Sequence, residues 1–144
     1  MPLFPSEEWF RAVRHEYNSD PSLHSGGGGA CDTVSGLEIA DRFYRIQFEG
    51  HECVDIHESD KSDIEDLDFV ISMPEERWRE MVEDIQANGK ASAQLTLNSI
   101  DLRSEDSIAY SPVDDQYKQD LFYRYNQNFQ DLMDASARVE TSFE

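Results

Sequence analysis

Four side chains able to bind a metal or move a proton stand at every second position of one segment: His51, Cys53, Asp55 and His57. Side chains alternate across a β-strand, so an extended HECVDIHE segment places these four on one face and Val54 and Ile56 on the other. Same-face neighbours lie about 6.6–7 Å apart along a strand, so all four cannot meet one ion. Two of them, with a third group from elsewhere, could hold zinc. The plainer reading is the polar outer face of a half-buried strand, and no metal site is assigned. A histidine changes charge near neutral pH and invites a general-base role. However, the chain has no Gly-x-Ser-x-Gly elbow and no cysteine in a recognised nucleophile motif. Asp41, Asp55 and Asp68 would become bases only if buried; each reads as a solvated residue. No catalytic residue is assigned. The run Gly26-Gly27-Gly28-Gly29 has the composition of a phosphate cradle, but no strand precedes it and no Lys-Ser/Thr follows, so it reads as a flexible loop.

The other chemical resource is apolar bulk. Trp9, Phe10, Phe43, Phe48, Phe69, Trp78, Phe122, Tyr125, Phe129 and Met133 are much large-ring and flexible material for one small domain. Most of it must be core. Part of it can line a cavity between helices and sheet, since such pockets are mostly apolar with a few polar groups, and Met133 is adaptable enough to fit variable ligands.

The elements that would position these residues follow from periodicity and punctuation. Ser6 with Glu7 and Glu8 opens a helix carrying Trp9, Phe10, Val13 and Tyr17, which Asn18-Ser19-Asp20-Pro21 stops. Residues 19–36 read as a loop. LEIADRFYRIQF reads as one strand, Glu49-Gly50 as a hairpin turn, HECVDIHE as a second strand, 59–66 as an acidic turn and Leu67–Ser72 as a third strand. Ser72-Met73-Pro74-Glu75 reads as a capping box opening a helix with Trp78, Met81, Val82 and Ile85 on one stripe, closed by Asn88-Gly89. AQLTLNSIDL reads as a further strand and 103–114 as a polar loop. A long final helix from about Asp115 toward Arg138 carries Phe122, Tyr125, Phe129, Leu132 and Met133. The expected fold class is α+β: an antiparallel sheet of four to five strands packed by an N-terminal, a middle and a long C-terminal helix, in a single domain spanning 1–144.

Charge narrows the partners. With 31 acidic and 12 basic residues the net charge is −19, which repels phosphate backbones and anionic bilayers, so neither nucleic acid nor stable membrane insertion is expected. Only Lys61, Lys90 and Lys118 are lysines, a balance that fits a salt-tolerant source as well as a plainly soluble surface. No apolar run is long enough to span a bilayer, and MPLFPSEEW lacks the features of a signal peptide. Two cysteines, Cys31 and Cys53, make no disulfide framework; both read as free thiols in a reducing compartment, so a cytoplasmic protein is expected.

The SEEW helix, the pair LEIADRFYRIQFEG and HECVDIHES, and the segment DFVISMPEERWREMV resemble, in order and spacing over residues 6 to 102, the sterol carrier protein 2-like family. The resemblance implies a sheet and helices enclosing an apolar tunnel for acyl chains or sterols, with no catalytic residue and no cofactor. It implies Phe69, Trp78, Met81, Val82 and Ile85 as tunnel walls; with Phe43, Phe122, Tyr125, Phe129 and Met133 they form the expected ligand-lining set. The chain departs from the family where GKASAQLTLNSIDL stands in place of a Gly-Lys strand ending in Gly-Asp, and in its long, Gln-, Asn- and Tyr-rich last helix. The expected function is binding of an apolar small molecule or lipid. Two alternatives stay open. One is a small enzyme of the nuclear transport factor 2-like type, an isomerase or cyclase, using a buried His51, His57, Asp41 or Asp55. The other is a non-catalytic interaction subunit that docks on a protein partner or on a second copy of itself.

Overall fold

The computed structural model describes residues 1–24, 29–62, 64–92 and 94–143; the glycines at 26–28 lie outside the described residues. A short ribbon at the ends of the chain pairs β1 (Leu3–Phe4) in parallel with β7 (Ser142–Phe143). Between them run α1 (Glu7–Ser19), β2 (Thr33–Ile39), β3 (Arg42–Glu49), β4 (Glu52–Ser59), β5 (Val70–Met73), α2 (Glu75–Asn88), α3 (Leu97–Arg103), β6 (Ala109–Tyr110) and α4 (Gln116–Asp134). Short 3₁₀ turns occupy Pro21–His24 and Ala135–Arg138. The main sheet has the order β4-β3-β2-β5-β6, with β2 and β5 parallel and every other pair antiparallel. The fold is therefore α+β, a five-stranded and mostly antiparallel sheet packed by helices.

Several punctuation marks act as the residues dictate. The Ser6 hydroxyl accepts the Trp9 N–H at 3.0 Å and caps α1. Asp115 caps α4 by accepting the Lys118 N–H. Gly50 turns the β3–β4 hairpin at φ 62°, and Gly89 closes α2 at φ 86°, both left-handed conformations that cost a glycine little.

Four expectations are corrected. LEIADRFYRIQF is two strands: the chain reverses at Ala40-Asp41, with Ala40 at φ 56°, and the preceding strand begins at Thr33, inside the expected loop. Ser72 does not cap α2. It sits in β5 opposite Glu38, and its hydroxyl donates to that carboxylate at 2.7 Å, so α2 starts after Pro74 with no side-chain cap. The end of AQLTLNSIDL is helical, because Thr96 accepts the Ser99 N–H and Leu97 and Ile100 then fall on one buried side. In HECVDIHE, Val54 is an extra residue: Phe48 lies opposite Cys53 and Gln47 opposite Asp55. This β-bulge reverses the alternation. Cys53 and Ile56 therefore face inward, fully buried, while Asp55 and His57 face outward and His51 stays exposed in the turn.

α1 fixes that bulge. Its apolar side packs onto the sheet, while Glu7, Arg14 and Asn18 line up on another side along β4. Arg14 donates to the carbonyls of Cys53 and Val54 at 2.8 and 2.9 Å. Asn18 donates to the Cys53 carbonyl and accepts its N–H, at 2.8 and 3.0 Å. Glu7 accepts the Glu58 N–H at 2.8 Å.

Candidate apolar binding interior

One face of the sheet presents Leu37, Ile39, Tyr44, Ile46, Phe48, Ile56 and Ile71, all buried. Pairing of Leu37 with Tyr44 and of Ser35 with Ile46 sets that phase. α1, α2 and α4 cover this face. α2 contributes Trp78, Met81, Val82 and Ile85, and α4 contributes Phe122, Tyr125, Phe129 and Met133. Phe69, just before β5, joins the two groups: its ring centroid lies 5.4 Å from that of Phe129 and 6.0 Å from that of Phe122, both edge-on. Phe129 in turn meets Phe48 edge-on at 5.0 Å. Trp78 is anchored through its indole N–H, which donates to the Glu38 carbonyl at 3.0 Å.

Nine of the ten expected lining residues thus converge on one buried apolar region. Phe43 does not. It packs on the opposite face of the sheet in a small cluster with Leu67 and Val70, its ring lying across Gly36. The hairpin at Ala40-Asp41 causes this: Leu37 pairs with Tyr44, so the odd-numbered inner positions of β2 give way to even-numbered ones in β3.

Polar groups enter the interior at one end. The Thr33 and Ser35 hydroxyls, both buried, lie 2.7 Å apart, and Thr33 Oγ1 donates to Asp68 Oδ2 at 2.7 Å. Sequence periodicity did not single out this pair; the signal available was two hydroxyls at strand spacing. Cys31 and Cys53 are free, buried thiols. Burial pushes both up to about 12, which keeps them protonated and unreactive at neutral pH. Burial also raises Tyr17 well above the usual phenol range, with the Asp131 carboxylate adding to it.

The groups proposed for proton transfer are elsewhere. Asp41 and His51 are exposed in turns, and His57 pairs with Asp55 at 2.7 Å on the solvated outer face. Among the described residues no three His, Cys, Asp or Glu side chains come together to hold a metal ion, and no helix is long and apolar enough to cross a membrane.

No protein family model matches the chain, and no curated protein matches its sequence. Its fold is similar to the solution structure of a conserved hypothetical protein of Thermus thermophilus, TT1886, described as a possible sterol carrier protein. That likeness has a TM-score of 0.65 and covers 99% of this chain and 92% of the other. At 15% identity it concerns the fold alone.

Proposed function

We propose that the protein is a carrier-type binding module that holds an apolar ligand, of acyl or sterol-like chemistry, between the inner face of the sheet and helices α2 and α4. The observation that carries this reading is the convergence of Phe69, Trp78, Met81, Val82, Ile85, Phe122, Tyr125, Phe129 and Met133 in one apolar region. The end-to-end fold likeness to a possible sterol carrier protein supports it. An acyl chain would lie among the aromatic rings, with its polar end toward the Thr33 and Ser35 hydroxyls.

The net charge of −19 disfavours docking on anionic lipid, so the ligand would pass to a protein partner rather than directly to a bilayer. Two unpaired buried thiols suit a reducing compartment, and the carrier is proposed to work in the cytoplasm.

The test is native mass spectrometry of freshly purified protein, followed by denaturing extraction and then by incubation with long-chain fatty acids and a sterol. An adduct of defined apolar mass, either copurified or acquired, is expected. A mass that stays that of the bare chain under every condition overturns the reading.

A further inference from the structure

At one end of the apolar interior α4 buries an amide with a bond left unmade. Asn128 is 5% exposed. Its Nδ2 donates to the Gly29 carbonyl at 2.8 Å, and that acceptor fixes which way the amide points. Oδ1 is left buried with no hydrogen-bond partner, a costly state for an acceptor and one that buried polar groups ordinarily escape. Asn128 adjoins Phe129, whose ring meets Phe48 and Phe69, and Phe48 pairs with Thr33 across the sheet. Gly29 leads into Cys31, whose N–H donates to the Gly50 carbonyl beyond that same strand end. Asn128 thus stands at the Thr33–Ser35 end of the interior, away from Ile39.

The polar groups at this end suit one kind of headgroup. Thr33 gives its single hydroxyl proton to Asp68, so the proton between Thr33 and Ser35 comes from Ser35. Ser35 Oγ then keeps lone pairs but no proton to give. Asn128 offers Oδ1 as an acceptor and the second N–H of its amide as a donor. A neutral hydroxyl, which both donates and accepts, matches this set. A carboxylate has no proton for Oδ1 or for Ser35. It would also lie stripped of water at the end that holds Asp68, with no buried counter-ion. None of the lysines and arginines is buried, and Arg124 lies exposed over the Tyr125 ring. An ammonium would satisfy the acceptors but turn the spare N–H toward a cation.

Given the carrier role proposed above, on which this depends, we infer that the ligand is a long apolar molecule ending in a neutral hydroxyl rather than a carboxylate, and that Asn128 selects that end. Selection of this kind is strong, because a site built to hydrogen-bond a hydroxyl rejects an analogue that leaves its buried groups unpaired. The apolar body packs among Phe48, Phe69 and Phe129, and the hydroxyl proton goes to the Asn128 oxygen that lacks a partner.

1-Dodecanol and dodecanoate share one chain and differ only at the head. Each is titrated into the full chain at about pH 7.5, where the fatty acid is ionised in water. Binding is read from the fluorescence of the two buried tryptophans, Trp9 and Trp78. Wild type, Asn128→Leu and the outer-face control Phe43→Leu are compared. Dodecanol is expected to bind wild type and control at least about tenfold more tightly than dodecanoate, and Asn128→Leu to lose most of that ratio by weakening the alcohol alone. The wild-type ratio decides the headgroup even if Asn128→Leu does not fold. Dodecanoate bound as tightly as dodecanol, or a ratio unchanged in Asn128→Leu, overturns the choice of headgroup and leaves the carrier role standing. Binding of neither ligand removes the carrier role and the headgroup choice together.

Discussion

Replacing Gly36 by alanine tests the packing of the outer sheet face and the placing of Phe43 there. Two effects oppose each other. A glycine inside a strand costs about 0.5–1 kcal/mol relative to alanine through its backbone entropy, so the substitution alone should stabilise. The added Cβ, however, would overlap Phe43 Cζ and come within 2.9 Å of Cε1 and 3.2 Å of Cε2. That ring cannot simply withdraw, because it is 3% exposed and packed with Leu67 and Val70. Overpacking of this kind costs about 1–3 kcal/mol. The overpacking wins, and the expected net loss is about 1–2 kcal/mol, a fall in Tm of roughly 3–8 °C for a domain of this size. The assay is urea unfolding followed by circular dichroism, with an unchanged slope showing that stability alone has moved. The same substitution in a Phe43→Leu background should lose most of its cost or become stabilising, giving a coupling energy of about 1 kcal/mol or more. A Gly36→Ala variant as stable as the wild type, or an equal loss in both backgrounds, would refute the reasoning. Apolar ligand loading should survive Phe43→Leu, because that ring lies across the sheet from the proposed interior.

Further outcomes follow from the same geometry. Asn18→Ala removes both side-chain bonds to Cys53 and should cost about 1–3 kcal/mol in chemical denaturation; no change would mean water replaces the amide fully. Thr141→Val deprives the buried Trp9 indole N–H of its 2.9 Å acceptor and should cost about 1–3 kcal/mol, whereas Thr141→Ser should cost little. Asp134→Asn should raise Tm at pH 7. Burial lifts the folded carboxyl above its unfolded value, with Asp84 adding to the rise and Ala91, Gln130 and Lys90 opposing it. Stability is thus lost as pH rises through that interval, and the advantage of the amide should vanish below the ordinary aspartate range. A gain that persists unchanged in acid would point to a cause other than ionisation.

Local signals told most where a residue's role depends on its immediate neighbours. The caps at Ser6 and Asp115, the glycines at 50 and 89, and the 3.6-residue stripes of α1, α2 and α4 depend on backbone chemistry within one turn. Errors came where a distant group decides. Ala40-Asp41 carries no strong turn signature, and missing that turn put Phe43 on the wrong face. The bulge at Val54 is held by Arg14 and Asn18, some 35 to 40 positions earlier in the chain. Ser72 looked like a helix cap until Glu38 on the neighbouring strand claimed its hydroxyl. For the interior, the helical stripes were legible, but the Thr33–Ser35 hydroxyl pair was not.

The contacts between α1 and β4 have a bearing on assembly. The peptide groups of Cys53, Val54 and Glu58 are taken by side chains of the same chain, so the longest margin of the sheet is a poor template for strand addition. At the other margin β6 is only two residues long. The carrier role proposed above would at times expose the apolar surface between helices and sheet, which is when edge-to-edge pairing would start aggregation. With that route largely closed by α1, the helical surfaces are what remains for the protein partner that the proposal invokes.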